Sequence, residues 1–124
     1  MAIIQQIVPT EDQDQAKLVV WMEKQGIKFF AIPNGGRRTL AEGIKFKRCG
    51  VRRGVPDLCL PFPSGPYHGA FLELKRLKGS QTSDEQKFWI SYLRSVGYWA
   101  EIAHGLEEAK EKVLQYLSFT LKAA

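Results

Sequence analysis

Gly54-Val-Pro-Asp57-Leu-Cys-Leu60, then a loop rich in Pro and Gly, then Gly69-Ala-Phe-Leu-Glu73-Leu-Lys75: this stretch, GVPDLCLPFPSGPYHGAFLELK over residues 54–75, decides the reading of the chain. Both ends are strand-like, and Pro61 to His68 carries the turn residues that would join them. In the second strand Phe71, Glu73 and Lys75 point to one face, while Ala70, Leu72 and Leu74 point to the other. A carboxylate and an ammonium therefore project together from the interior of an apolar strand. On that strand alone, a solvent-facing ion pair is the plain alternative. Asp57 changes the weighting. Pro56 gives it an extended entry, it heads the apolar run Leu58-Cys59-Leu60, and fifteen residues separate it from Glu73. If the two strands are neighbours, both carboxylates reach one cation, and hard oxygen ligands of this kind suit Mg²⁺ or Mn²⁺.

Working outward, Thr10 and Gln13 read as a capping box opening a helix, with Glu11 and Asp12 in its positive first turn. Leu18, Val19 and Met22 form its apolar stripe, and Gly26 ends it. Ile27 to Ile32 reads as a strand stopped by the turn sequence Pro33-Asn34-Gly35-Gly36. Arg38 to Arg48 reads as a short basic helix ending near Gly50. Ser83 and Gln86 form a second capping box, before a helix with Trp89, Ile90, Leu93 and Val96 inward and Gly97 as its stop. Tyr98 to Ala103 is a further strand, and a last helix is expected from about Leu106 to Leu117 with frayed residues beyond. Helices alternating with strands in this way indicate one α/β domain over residues 1–124, a central mixed sheet flanked by helices.

The 124 residues suffice for a core without disulfides or structural metal. No apolar run approaches the roughly 20 residues needed to span a bilayer, and the first residues lack a signal peptide's pattern, so a cytoplasmic protein of a bacterial or phage-infected cell is expected. Two cysteines, Cys49 and Cys59, are too few for a disulfide framework, and reduced thiols are expected. A zinc site from Cys49, Cys59, His68 and His104 lacks ligand spacing. Trp21, Trp89 and Trp99 read as core residues. The net charge of +5 is unevenly placed. Between Lys28 and Arg53 lie eight basic residues (Lys28, Arg37, Arg38, Lys45, Lys47, Arg48, Arg52, Arg53) and one acid, Glu42, giving +7 there and −2 elsewhere. A concentrated positive surface is what a phosphate-binding protein presents; a solvated basic face is the alternative.

Pro56-Asp57 followed by Glu73-Leu74-Lys75 resembles the PD-(D/E)XK nuclease superfamily, and the wider set of motifs is similar to its VRR-NUC (virus-type replication-repair nuclease) family in stand-alone, phage-like form. The carrying features are Glu11 and Gln15, Pro33-Asn-Gly-Gly36, Gly50, Gly54-Val-Pro-Asp57-Leu, Tyr67-His-Gly69, Glu73-Leu-Lys-Arg76 with Gly79, Ser83 to Gln86, and Gly97-Tyr98. The resemblance implies a restriction-endonuclease-like fold and a Mg²⁺- or Mn²⁺-dependent DNA endonuclease. Stand-alone viral members look like homodimeric Holliday-junction resolvases; a flap or nicking nuclease, a non-catalytic nucleic-acid-binding module and an RNA-directed nuclease remain as rivals. It implies that Asp57, Glu73 and the Leu74 carbonyl hold the metal, with Lys75 beside the attacking water as base or electrostatic stabiliser. Glu11 is expected at the metal or its water, against the reading that it only favours the helix dipole. Gln15 is expected near the site or merely solvated, and Gln86 at the site or merely in its cap. Asn34, Arg37, Arg38, Lys45, Lys47, Arg48, Arg52 and Arg53 are the expected DNA contacts.

Overall fold

In the computed structural model, residues 7–33 and 39–123 are described. Their elements run α1 (Glu11–Lys24), β1 (Phe30–Ala31), α2 (Leu40–Arg48), β2 (Leu58–Leu60), β3 (Ala70–Lys75), α3 (Asp84–Ser95), β4 (Trp99–His104) and α4 (Leu106–Ala123). The four strands form one mixed sheet in the order β1-β2-β3-β4. β1 and β3 are both antiparallel to β2, and β4 lies parallel to β3, reached through the α3 crossover. The fold class is therefore α/β, with helices flanking a mixed sheet.

The strand alternation works as the sequence requires. Ala70, Leu72 and Leu74 on one face of β3 join Leu58, Leu60, Trp99 and Ala103 in the main core, which also takes Leu18 and Met22 of α1 and Val113 and Tyr116 of α4. At about 1.5–3 kcal/mol for each large aliphatic side chain taken from water, this face supplies much of the drive to fold. On the other face, Phe71 packs with Tyr98, Ile102 and the α3 residues Ile90 and Leu93. Cys59 faces Phe71 across the sheet, so β2 and β3 are the neighbours that a shared site needs.

Four expectations are corrected. The strand over Ile27 to Ile32 contracts to the exposed pair Phe30–Ala31, because Ile27 and Phe29 turn into the core instead. Val96 is exposed, since only Ile90 and Leu93 of α3 reach the core. Trp89 is half-buried at the surface, in edge contact with Phe88 and Tyr92. The last helix runs six residues further than expected, to Ala123. The Ser64 hydroxyl explains the extension: it donates to Tyr116 O (2.6 Å) and accepts from Thr120 N (3.0 Å), while Phe119 packs on Tyr67 and Trp99. Tyr116 completes the clamp by donating to Phe62 O (2.6 Å).

Both cysteines are free thiols, Cys49 exposed and Cys59 buried. His68 lies edge-on to Tyr98, and His104 lies 3.8 Å from Glu108. Among the described residues no helix is long and apolar enough to cross a membrane.

Candidate active site

Asp57 stands one residue before β2, directly after Pro56, and Leu74 N–H donates to its Oδ2 at 2.7 Å. That bond ties the carboxylate to the end of β3. Glu73, one residue back, points to the opposite face from the leucines, as does Lys75. Both are nevertheless withdrawn from water, at 4% and 6% exposure. The Asp57 and Glu73 carboxyls are close enough to influence each other directly. Two carboxyls so placed cannot both ionise freely.

The electrostatics follow. Burial, then the neighbouring Asp57 charge, push Glu73 up to about 8, and Lys75 offsets only part of this. Burial also raises Asp57 to about 6, against the Leu74 N–H bond that favours its charged form. Glu11 adds to both shifts through its negative charge. The pair thus favours keeping a proton near neutral pH.

Lys75 is fixed from above. Its Nζ donates to Gln81 O (2.8 Å) and Gln86 Oε1 (2.7 Å), engaging two of its three donors. Gln86 Nε2 in turn donates to Glu73 Oε1 (2.8 Å). Gln86 also closes the α3 capping box, its Oε1 accepting from Ser83 N (2.9 Å) while Ser83 Oγ accepts from Gln86 N. Cap and site are therefore one hydrogen-bond network sharing one side chain, where the sequence offers them as alternatives. The first turn of α3 is itself held by Gly54. That residue is buried with φ +91°, and a Cβ there would come within 2.5–2.7 Å of Glu85 backbone and Cβ atoms. Only glycine combines that backbone angle with so close an approach.

Glu11 is half-buried in the first turn of α1, within electrostatic reach of the two carboxyls. Its charge acts on both Asp57 and Glu73. Gln15 is half-buried one turn on. Sequence reasoning passed over Asp14, which lies inward with Leu18 and Met22, is 5% exposed, and has an Oδ2 without a hydrogen-bond partner among the described residues. It also passed over the Gln81 carbonyl, since a backbone acceptor leaves no residue-type signal.

Of the expected DNA contacts, Lys45, Lys47 and Arg48 are exposed on α2, and Arg52 and Arg53 are exposed in the turn after it. Asn34, Arg37 and Arg38 lie outside the described residues.

The VRR-NUC domain family model matches residues 9–107, which include both carboxylates, Lys75 and Gln86. The chain belongs to the VRR-NUC family. A solved structure described as a VRR_NUC domain protein is 30% identical, with 94% of this chain and 93% of that chain covered and a TM-score of 0.79. No curated protein matches the chain. As a VRR-NUC protein it belongs to a family of nucleases, and DNA is the substrate class that the domain implies.

Proposed function

We propose that this VRR-NUC protein is a structure-selective DNA endonuclease that depends on Mg²⁺ or Mn²⁺ and resolves four-way (Holliday) junctions as a homodimer. The observation that carries the metal dependence is the Asp57–Glu73 pair, two neighbouring carboxyls, one just before β2 and one in β3, whose pKa values are raised chiefly by burial. The donor set fits a hard divalent cation. Asp57 and Glu73 would hold it, joined by the Leu74 carbonyl, which strand alternation puts on the edge where Leu74 N–H meets Asp57. Such an ion, when bound, makes water a stronger acid and neutralises charge on the phosphate.

The protein's own residues do the rest. Lys75, with one N–H beyond its two protein bonds, orients the attacking water or stabilises the charge that develops on the phosphate. Gln86 keeps the ammonium and the Glu73 carboxylate in register by bonding both. Glu11 would act at the metal or through its bound water. The reaction adds water across one phosphodiester: the water oxygen bonds to phosphorus and one P–O ester bond breaks. The exposed cations Lys45, Lys47, Arg48, Arg52 and Arg53, with Arg37 and Arg38, supply the DNA-facing charge, and Asn34 a neutral polar contact.

Each chain, read as one domain over 1–124, supplies one such site, whereas a junction must be cut on two strands at symmetric positions. A two-fold dimer is the economical solution. A cleavage panel of four-way junction, flap, splayed arm, linear duplex and single strand, each with Mg²⁺, Mn²⁺ or EDTA, tests the reading. Paired symmetric cuts in the junction that vanish in EDTA are expected. In mixtures of wild-type and Lys75→Ala protomers, single nicks should accumulate at the expense of paired cuts. A monomer whose nicking is unaffected by mixing would instead identify a flap or nicking enzyme, and absence of cleavage would leave a binding module.

A further inference from the structure

The excursion that contains α2 begins and ends beside the site. On the way out, Ile32 N–H donates to Asp57 O at 2.8 Å. On the way back, Gly54 is seated against the first turn of α3, the turn that carries Gln86. Between them α2 buries none of its residues, and among the described residues no other helix or strand packs on it. A helix of nine residues is marginal by itself in water. What holds its ends is local: Thr39 accepts from Glu42 N at 3.1 Å, and Val51 N–H donates back to Phe46 O at 2.9 Å.

At about 100° per residue, Leu40, Ile44, Lys47 and Arg48 share one face of α2 within roughly a quarter-turn to a third of a turn. Phe46 lies on the other side, while Gly43, the least exposed residue of the helix, borders this face beside Lys47. Leu40 is 83% exposed and Ile44 58%. A single exposed leucine needs no explanation. Two large aliphatic side chains at i and i+4, on a helix that contributes nothing to the core and continuous with two cations, do need one. Charge selects the occupant. Residues 40–53 hold five bases (Lys45, Lys47, Arg48, Arg52, Arg53) and one acid (Glu42), a net +4. A second copy meeting this face across a two-fold axis would set the same cations against each other. A polyanion with apolar surface beside its phosphates fits without that repulsion, and DNA has such surface where its base stack is broken.

We propose that α2 recognises the branch in the DNA: Lys47 and Arg48 hold backbone phosphates while Leu40 and Ile44 rest on base faces uncovered at the branch point. This rests on the nuclease reading above and adds to it the element that distinguishes branched from continuous DNA. Phosphate contacts give affinity to any duplex; the aliphatic pair gives preference for a broken stack.

The test is binding in EDTA, where no strand is cut, to a labelled four-way junction, a flap and a linear duplex, each branched DNA also made with 2-aminopurine at the branch nucleotide. Wild-type protein should brighten the 2-aminopurine as it unstacks. Leu40→Ala/Ile44→Ala should lose that brightening and roughly tenfold in affinity for the branched DNAs, with under about twofold change on linear duplex and an unchanged salt slope. Lys47→Ala/Arg48→Ala should weaken all three DNAs alike and lower the slope of log K against log salt by roughly 2. Thermal unfolding should match wild type in both, since these side chains are exposed, and Ile44→Gln alone serves if the double variant melts early. Equal losses on duplex and branched DNA, or no brightening with wild type, would overturn the proposal. A change of oligomeric mass in Leu40→Ala/Ile44→Ala would assign the face to a second copy instead. Failure of wild type to bind any of the DNAs would overturn the nuclease reading along with it.

Discussion

Helices α1 and α3 open with the same motif. In each, a hydroxyl caps the helix and a glutamine three residues on bonds back to the capping residue, Thr10 with Gln13 and Ser83 with Gln86, and both boxes are fully formed. At α1 the glutamine serves the cap: Gln13 is exposed and, among the described residues, its hydrogen bonds are with Thr10. At α3 the same side chain also accepts from Lys75 and donates to Glu73. The difference is one of position. The start of α3 is set over the end of β3 by the close approach of Gly54, while Gln13 sits on the outer side of α1 and it is Glu11 that turns its charge toward the carboxyls. A local motif thus fixes where a helix begins, and the tertiary neighbour decides whether its side chains also serve a site.

The comparison can be broken at graded strengths. The largest effect belongs to the carboxylates on which the α3 network converges. Asp57→Asn or Glu73→Gln should lower single-turnover cleavage by about 10³-fold or more, because several kcal/mol of charge stabilisation go with the metal. Lys75→Ala should cost roughly 10²- to 10³-fold with Mn²⁺ affinity retained, the size of losing one donor aimed at developing charge. Near wild-type turnover would remove that role from Lys75.

Gln86→Ala comes next. It should reduce cleavage by roughly ten- to hundredfold, as loss of a partner that orients catalytic groups does. Ser83→Ala, which removes the other half of the same box, should cost about 1 kcal/mol of stability and leave cleavage close to wild type. If both variants lose activity in proportion to stability, Gln86 is a cap and nothing more. At the α1 end, Gln13→Ala should give the smallest effect, a loss of at most about 1 kcal/mol in chemical denaturation with no change in turnover.

The buried pair also makes the metal-free fold sensitive to pH in an unusual direction. Asp57 and Glu73 hold protons more tightly when folded, near 6 and 8 against ordinary values of 3.8 and 4.5. Their contribution is therefore full below the ordinary values of 3.8 and 4.5 and is lost progressively as pH rises from there through about 6 for Asp57 and about 8 for Glu73. In EDTA, the wild-type melting temperature should fall relative to that of Glu73→Gln over this range, and Mn²⁺ should reverse the fall. Parallel curves for the two proteins would show that the carboxyls do not share a proton.

Much of this was legible in the sequence. Period-two alternation in residues 70–75 gives the two faces of β3, and both capping boxes locate the starts of their helices to the residue. Asp57, Glu73 and Lys75 could be singled out because charged residues stand where an apolar strand would otherwise continue. What failed was whatever depends on distant partners. Ile27 and Phe29 look like strand residues but pack, partly buried, against the core, and Val96 has helical spacing yet caps the end of α3 and stays exposed. The last turns of α4 look ready to fray until Ser64, more than fifty residues earlier, is found holding Thr120. Asp14 sits among charged residues that read as a helix N-terminus, and only folding turns it inward.

The central claim is that Asp57 and Glu73 exchange a shared proton for a divalent cation. Titration calorimetry with Mn²⁺ near pH 7, repeated in buffers of different ionisation enthalpy, tests it most directly. One saturable site is expected, releasing about one proton per ion bound and tightening as pH rises through the range in which the pair titrates. Asp57→Asn and Glu73→Gln should each weaken that site sharply. Mn²⁺ affinity unchanged in both variants, or binding with no proton released, would contradict the account.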